Sequence, residues 1–171
     1  MRARIRVATL DDAQLIADLT RTAWADLVSV TSGGHRETAE KVSADLQAGG
    51  GFILLVDERP AGSARWVPHA ELPGVWEMLR IGILPAYRGF DLSQHLVEAV
   101  IHHAYLHNVE ELRLAIRHDQ PRLIDLYAAY DFEEAPELEY AHANPLEPRP
   151  TVMRQRLKKQ SKNCGRSVRT G

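Results

Sequence analysis

The sequence has little of several features that mark whole classes of protein. Its 171 residues contain a single cysteine, Cys164, so no disulfide can form within the chain. This is typical of a reducing compartment such as the cytoplasm. No apolar run approaches the roughly 18 residues that a membrane-spanning helix needs. The basic start, residues 1–6, is not followed by an uninterrupted apolar segment, so we expect no secretory signal. We therefore expect a cytoplasmic protein that has no membrane partner.

Positive charge is scarce outside the last fourteen residues. That segment, 158–171, holds five lysine and arginine residues and no acid, and removing these five charges from the net charge of −2 leaves −7 for residues 1–157. Such an acidic body lacks the basic face of a nucleic-acid binder, so we expect no nucleic-acid partner. An acidic surface would attract a cationic or amine substrate. It is equally consistent with a charge balance that only keeps the protein soluble. The last segment has no apolar periodicity, which predicts a single domain over 1–157 and a disordered basic tail over 158–171.

The rest of the composition is that of a folded domain, with 44% hydrophobic and 26% charged residues. Apolar periodicity predicts an α/β protein in which strands 2, 3 and 4 form an antiparallel meander. A long helix joins strands 4 and 5, so these two strands should be parallel. The predicted strands cover about residues 4–8, 52–56, 63–67, 75–84, 112–116, 138–141 and 151–157. Four helices are predicted: one after a capping box at 9–12, one over 37–47, one over 92–107, and one that begins near Pro121.

One segment carries most of the chemical information. Residues 77–93 read EMLRIGILPAYRGFDLS, which predicts a strand, a loop and the start of the long helix. Backbone amides at a helix start, together with the helix dipole, form an anion site. Arg88 adds a forked donor that suits phosphate, and Gly89 lets the backbone approach a ligand closely. The same residues also fit an ordinary turn between a strand and a helix.

Two motifs decide between these interpretations. The pattern Glu-x-x-Arg-Ile-x-Ile-x-Pro-x-Tyr-Arg-Gly before a helix resembles the core of the GNAT superfamily of N-acetyltransferases, and residues 126–132 (LYAAYDF) are similar to its Leu-Tyr-x-x-x-Gly-Phe element. The resemblance implies a mixed, mostly antiparallel sheet flanked by helices, in which the parallel strands 4 and 5 splay apart. It also implies acetyl-CoA as cosubstrate, no metal, and acetyl transfer to a primary amine of a small molecule or a protein.

The family's cofactor loop falls on six positions of this chain, and two of them depart from the family pattern. Asp91 stands where the family has glycine, and it brings a negative charge to the place of the diphosphate. Ser93 replaces a glycine or alanine and is a residue type that caps helices. Farther on, Asp131 replaces the glycine of the second motif. The implied cofactor-binding loop consists of Arg88, Gly89, Phe90, Asp91, Leu92 and Ser93.

These departures keep two other functions open. One is a GNAT-fold binding or interaction module that has lost catalysis. The other is an enzyme or binder that takes another acyl-CoA, or a ligand other than CoA, in the same cleft. A homodimer is also compatible with the resemblance, because acceptor pockets of this fold sometimes use a partner subunit. In this chain the implied acceptor pocket falls on residues 24–35 and 140–150.

The resemblance also assigns cofactor contacts beyond the loop. An isolated glycine within a strand, Gly82, indicates a bulge or a close backbone approach, or only relief of packing under a helix. The family's strand 4 carries such a bulge, and the pantetheine arm then pairs with its backbone near Ile81 and Ile83. Asp119, after strand 5, stands where the family often has asparagine and is a candidate contact to CoA or water.

Two residues are catalytic candidates by the same resemblance. Glu77 is the candidate base, since some family members use a glutamate at this strand position, directly or through water. The alternative is that Glu77 is only a solvated carboxylate on the strand, without a catalytic role. Tyr127 matches the tyrosine that faces the CoA sulfur and is the candidate acid, with a packing aromatic as the alternative. His103 and His107 have the i, i+4 spacing of metal ligands, but no nearby acid or cysteine completes a site, so we expect a solvated helix face.

Overall fold

The computed structural model describes residues 1–27 and 33–158, and in these ranges one seven-stranded sheet is flanked by four α-helices. No helix in these ranges is long and apolar enough to cross a membrane. The elements are β1 (Ala3–Val7), α1 (Ala13–Trp24), α2 (Ala39–Ala48), β2 (Gly50–Val56), β3 (Arg59–Pro68), β4 (Val75–Ile83), α3 (Ser93–Leu106), β5 (Glu111–Ile116), α4 (Arg122–Ala128), β6 (Glu133–Glu134) and β7 (Thr151–Arg156).

The strands lie in the order β1-β2-β3-β4-β5-β7-β6. All neighbours are antiparallel except β4 and β5, which are parallel. The meander of β2, β3 and β4 and the parallel pair that α3 connects confirm the predicted mixed, mostly antiparallel sheet. The parallel pair lies at the centre of the sheet, where helices cover both faces.

The apolar run of β2 shows how the helices cover the sheet. Phe52 and Leu54 belong to the core cluster that includes the buried residues of α3. Ile53 and Leu55 face the other way and pack with Ile16 of α1 and residues of α2. Because successive strand residues point to opposite faces, a strand buried on both sides is apolar at every position.

The last predicted strands are only partly correct. β7 forms as expected, but residues 138–140 have no regular secondary structure and lie between turns at 136–137 and 141–142. The amide of Leu138 donates to the Ala135 carbonyl, so the backbone curls back on itself there. The strand that pairs with β7 is the short Glu133–Glu134 instead. Of the predicted tail, residues 159–171 lie outside the described residues.

Candidate functional site

The central parallel pair opens after three residue pairs. The register of β4 and β5 ends at Glu77 and Arg113, while β4 continues to Ile83 without a β5 partner. Against β3, Ser63 pairs with Gly82 but Arg65 pairs with Leu79, so β4 holds one extra residue. The strands therefore splay as predicted, and the predicted bulge is present in β4.

The bulge itself lies just before Gly82. Arg80 has a φ of +53°, a left-handed conformation that is unusual within a strand. Gly82 has a different role, because a Cβ there would lie 2.9 Å from Nε1 of Trp24 and 3.1 Å from Cβ of Ala23. The glycine thus lets α1 pack closely on β4, and both of its suggested roles were partly correct.

The gap between β4 and β5 contains a cavity of about 220 Å³. Its walls are residues 78–83 of β4, 114–117 after the paired part of β5, and side chains of α1 and α4. Ile81 and Ile83, the two predicted contacts of the pantetheine arm, both line it. The cavity is mostly apolar, narrow and bordered by free strand edge, which suits a long, flexible arm with amide groups.

The predicted loop leads from this gap to the start of α3. Its backbone N–H groups from Gly89 to Leu92 have no acceptor among the described residues. Gly89 has a φ of +85° and Asp91 a φ of +53°, so the chain makes two left-handed steps before the helix. Ser93 does not cap α3: it is the first helical residue, and no side chain caps this helix. The exposed loop therefore presents unpaired donors, as an anion site requires.

Arg88 lies in this loop, but its guanidinium binds protein groups. It forms an ion pair with Asp26 at 2.9 Å and donates to the carbonyl of Ala23 at 2.5 Å. The hydrogen bond from Arg88 holds the pKa of Asp26 below its usual value. Arg88 thus fixes the C-terminal end of α1 over the gap. Its predicted contact with a phosphate stays a prediction.

Tyr127 is buried at the wall of the gap, and its role as an acid stays a prediction. Its side chain is 8% exposed, lines the gap cavity, and contacts Phe132 edge to face. No described residue hydrogen-bonds to its hydroxyl. Burial, with a smaller contribution from Tyr130, raises the pKa of Tyr127. The hydroxyl therefore stays protonated at neutral pH and can donate to a sulfur atom in the gap.

Two other predicted contacts lie farther from the gap. The Asp119 carboxylate accepts hydrogen bonds from Arg117 at 3.1 and 3.2 Å. Burial would raise the pKa of Asp119, but Arg117 outweighs it and holds the pKa below its usual value. Its neighbour Gln120 lines the gap instead and donates to the Leu27 carbonyl at 2.7 Å. Phe90 is exposed on the loop.

A second cavity, of about 510 Å³, adjoins the first. Trp24, Met78, Leu79 and Arg80 are among the residues that line both, so the two cavities meet at the bulge of β4. The wall of the large cavity includes Trp24 of α1, residues 36–45 before and within α2, and part of the 140–150 segment. The resemblance placed the acceptor pocket at 24–35 and 140–150, and residues 28–32 of the first range lie outside the described residues. It is rich in charged and polar side chains, whereas the gap is mostly apolar.

Glu77 lies beneath this second cavity, between two histidines. Its side chain is only 3% exposed, and Nε2 of His142 lies 3.0 Å from its Oε2. On the other side, Nε2 of His69 lies 3.7 Å from its Oε1. His142 lines the cavity and Glu77 does not. The alternative interpretation of Glu77 as a solvated strand carboxylate is therefore wrong. Sequence reasoning missed both histidines, because His142 is distant in the chain and the contact with His69 depends on the register of β3 and β4.

A buried ion cluster supports the same wall. Arg65 is 1% exposed and lies 3.1 Å from a Glu37 oxygen and 2.9 Å from an Asp45 oxygen. Arg80, at the bulge, binds Glu37 at 2.7 Å. Burial raises the pKa of Asp45, and the charge of Arg65 opposes this. The sequence signal for this cluster was an arginine within the apolar strand β3, since a buried charge needs a partner.

No group of three or more metal-binding side chains occurs in the part of the chain that the structure describes. His103 and His107 instead form an aromatic cluster, with ring centroids 4.1 Å apart and the His103 ring 4.7 Å from Trp66. Burial and the neighbouring His107 lower the pKa of His103. These residues therefore pack against the sheet, and the expected solvated face is wrong for His103.

The comparisons with known proteins agree with this architecture. The model of the acetyltransferase (GNAT) family matches residues 16–132. No curated protein matches the chain in sequence.

Solved structures with the same fold include a GNAT-family acetyltransferase from Staphylococcus aureus Mu50, with a TM-score of 0.74, 11% identity, and coverage of 92% of this chain and 100% of that one. The PaiA N-acetyltransferase from Thermoplasma acidophilum, in complex with coenzyme A, has a TM-score of 0.71, 15% identity, and coverage of 91% and 99%. The ribosomal-protein-S18-alanine N-acetyltransferase from Escherichia coli has a TM-score of 0.71, 17% identity, and coverage of 95% and 98%. With the family model matching more than half of its length, and with a splayed strand pair in its sheet, this chain belongs to the GNAT acetyltransferase family.

Proposed function

We propose that the protein transfers an acetyl group from acetyl-CoA to a primary amine of a small molecule or a protein. The observation that carries this proposal is the open gap between β4 and β5, because it leads from a loop of unpaired amides to a charged cavity. A thioester that enters along the gap meets an acceptor that enters from the large cavity. The meeting point is the bulge of β4.

The cofactor side of the site fits CoA in three respects. The free N–H groups of residues 89–92 and the start of α3 suit the phosphates. The unpaired edge of β4 at Ile81 and Ile83 suits the amides of the pantetheine arm. Tyr127, buried and protonated, suits the sulfur, to which it can donate a hydrogen bond or a proton as the thiol leaves.

The acceptor side fits an amine. The wall of the large cavity carries charges of both signs, and Glu37 and Asp45 are paired with arginines. Glu77 lies beneath the wall, next to His142. A backbone amide of the splayed part of β4 can stabilise the oxyanion that forms on the acetyl group. The Glu77 and His142 pair can take the proton that the amine nitrogen loses. A homodimer and a cytoplasmic location remain part of this proposal.

The alternative function, a binding module without catalysis, was suggested by Asp91 and Asp131. Both residues adopt left-handed backbone, with φ values of +53° and +67°, the conformation that the family's glycines allow. Aspartate is one of the few residue types that tolerate it. The loop path is therefore kept, and only the added charge of Asp91 speaks against CoA binding.

Two measurements test the proposal. Calorimetric titration with acetyl-CoA and with CoA should show binding of both. A thiol-release assay with acetyl-CoA should then show turnover that depends on an added amine, across a panel of an alkylamine, an amino acid and a peptide with a free α-amino group. Binding without turnover on any amine would favour the module, and absence of binding would overturn the proposal.

A further inference from the structure

We infer that His142 is the general base of the acetyl transfer and that Glu77 positions it without contacting the amine. The inference rests on the proposed function and assigns the proton-transfer step within it. The Glu77 side chain is 3% exposed and that of His142 is 47% exposed, while His142 alone of the two lines the acceptor cavity. An amine in that cavity meets the imidazole first.

The position of the ring assigns a role to each nitrogen of the imidazole. Nε2 of His142 lies 3.0 Å from Oε2 of Glu77, and because two lone pairs repel at this distance, the nitrogen that faces the carboxylate is the one that holds the proton. Nδ1 then carries the free lone pair. Among the described residues, no group hydrogen-bonds to Nδ1, and Tyr140 contacts the ring edge to face with centroids 5.5 Å apart. The imidazole is thus held by one nitrogen and available at the other.

His69 lies on the other side of Glu77 and presents its Nε2 to the carboxylate. Nδ1 of His69 accepts the backbone N–H groups of Glu71 and Leu72, both at 3.1 Å. A nitrogen that accepts hydrogen bonds carries no proton, which places the imidazole proton of His69 on Nε2. Nε2 of His69 lies 3.7 Å from Oε1 of Glu77. The two imidazoles therefore lie on opposite sides of the carboxylate, His69 by Oε1 and His142 by Oε2.

The charges around the pair adjust the imidazole for this task. The hydrogen bond from His142 to Glu77 raises the pKa of His142, burial opposes it, and the charges of Glu77 and Asp45 add to the rise. Arg80 lowers it, but this guanidinium is itself bound to Glu37. A base whose pKa lies near neutral pH is the most effective proton acceptor in water.

The step balances with one proton moved. The nitrogen of the neutral amine forms the C–N bond with the acetyl carbon while the C–S bond of the thioester breaks. Nδ1 of His142 takes the proton that the nitrogen loses, and the negative charge of Glu77 stabilises the imidazolium. One proton returns to the sulfur, by Tyr127 or solvent, so amine and thioester give amide and thiol with no net proton.

Kinetics of the variants His142→Gln and Glu77→Gln test the roles. We expect His142→Gln to lower kcat about 10²-fold and to abolish the acidic limb of the pH profile of kcat/KM. Glu77→Gln should keep that limb but move it to lower pH, because the imidazolium loses its anionic partner. Calorimetry should show unchanged acetyl-CoA affinity for both variants. His102→Gln, on the exposed face of α3, is the matched control and should behave as wild type.

Two further measurements separate catalysis from folding. Added imidazole should restore part of the turnover of His142→Ala, which it would not do for a structural residue. In the CoA complex, nitrogen-15 NMR should show a His142 pKa above 6.5 that falls in Glu77→Gln. Wild-type kinetics in His142→Gln, or an acidic limb that disappears only in Glu77→Gln, would overturn the inference. Lack of turnover in the wild type overturns the proposed function instead, and the NMR titration still reports whether the pair exists.

Discussion

At the scale of single residues, two aspartates show how a departure from a family pattern is accommodated. Asp91 and Asp131 occupy left-handed backbone at positions where the family has glycine. The strain is small for aspartate, so both turns keep their path. The remaining effect of the substitution at Asp91 is its negative charge, on a loop whose backbone N–H groups are unpaired among the described residues.

The charge of Asp91 should weaken acetyl-CoA binding. At an effective dielectric of about 20, two unit charges a few ångströms apart repel by roughly 3 kcal/mol. We therefore expect Asp91→Asn to tighten binding by about 10-fold or more. Asp91→Gly should add only a small gain, because asparagine already tolerates the backbone. Calorimetry at two salt concentrations checks this, since the gain should shrink as salt screens the repulsion. Equal affinity of wild type and Asp91→Asn would mean that the carboxylate points away from the phosphates.

The hydroxyl of Tyr127 should matter for turnover and not for folding. It lines the gap without a hydrogen-bond partner among the described residues, so Tyr127→Phe removes no native contact. We expect kcat to fall about 10-fold at saturating substrates and the melting temperature to stay nearly unchanged. Tyr130→Phe, whose hydroxyl lies at the surface near Gln94, is the matched control. A fall in melting temperature without a fall in kcat would make Tyr127 a packing residue.

At the scale of elements, local patterns predicted the frame and could not predict the contacts across it. The apolar run of β2 and the helical spacing of α3 are local signals, and both elements form within a residue or two of the expected bounds. The partners of Glu77 come from the end of β3 and from a loop near residue 142, so only the folded chain joins them. The false strand at 138–141 arose because alternation alone does not say where a segment finds its hydrogen bonds.

The link between the cofactor loop and α1 can be tested through Arg88. Because its guanidinium binds Asp26 and the Ala23 carbonyl, Arg88→Gln should loosen the end of α1 over the gap. We expect acetyl-CoA affinity to fall about two- to fivefold, in the range of a single exposed ion pair. Asp26→Asn should cause a similar loss. If Asp26→Asn instead binds as tightly as wild type while Arg88→Gln weakens strongly and with salt dependence, Arg88 contacts the phosphates directly.

At the scale of the whole molecule, the buried ion cluster links the helical layer to the sheet. Arg65 on β3 reaches Asp45 on α2 and Glu37 before it, and Glu37 holds Arg80 at the bulge of β4. A charge removed from water is tolerated only where partners and hydrogen bonds compensate it. The cluster therefore fixes where α2 sits and, through Arg80, where the two cavities meet.

Removing the centre of this cluster should destabilise the protein in a pH-dependent way. Arg65→Met leaves two carboxylates with less compensation, a change that typically costs about 3–5 kcal/mol, or roughly 10 °C in melting temperature for a chain of this size. An uncompensated buried carboxylate has a raised pKa, so its penalty is present when it is ionised and is lost as the pH falls. The difference in melting temperature between wild type and Arg65→Met should thus be larger at pH 7.5 than at pH 5.

The double variant Arg65→Met, Glu37→Gln is the control for this explanation. It removes one of the two carboxylates that lost Arg65 and should recover part of the lost stability at pH 7.5, although Arg80 then lacks its partner. Thermal unfolding followed by circular dichroism measures all three proteins. A loss in Arg65→Met that is equal at both pH values would assign the role of Arg65 to packing. In that case the packing of the Arg65 side chain positions α2, and the charges of the cluster only contribute to the wall of the cavity.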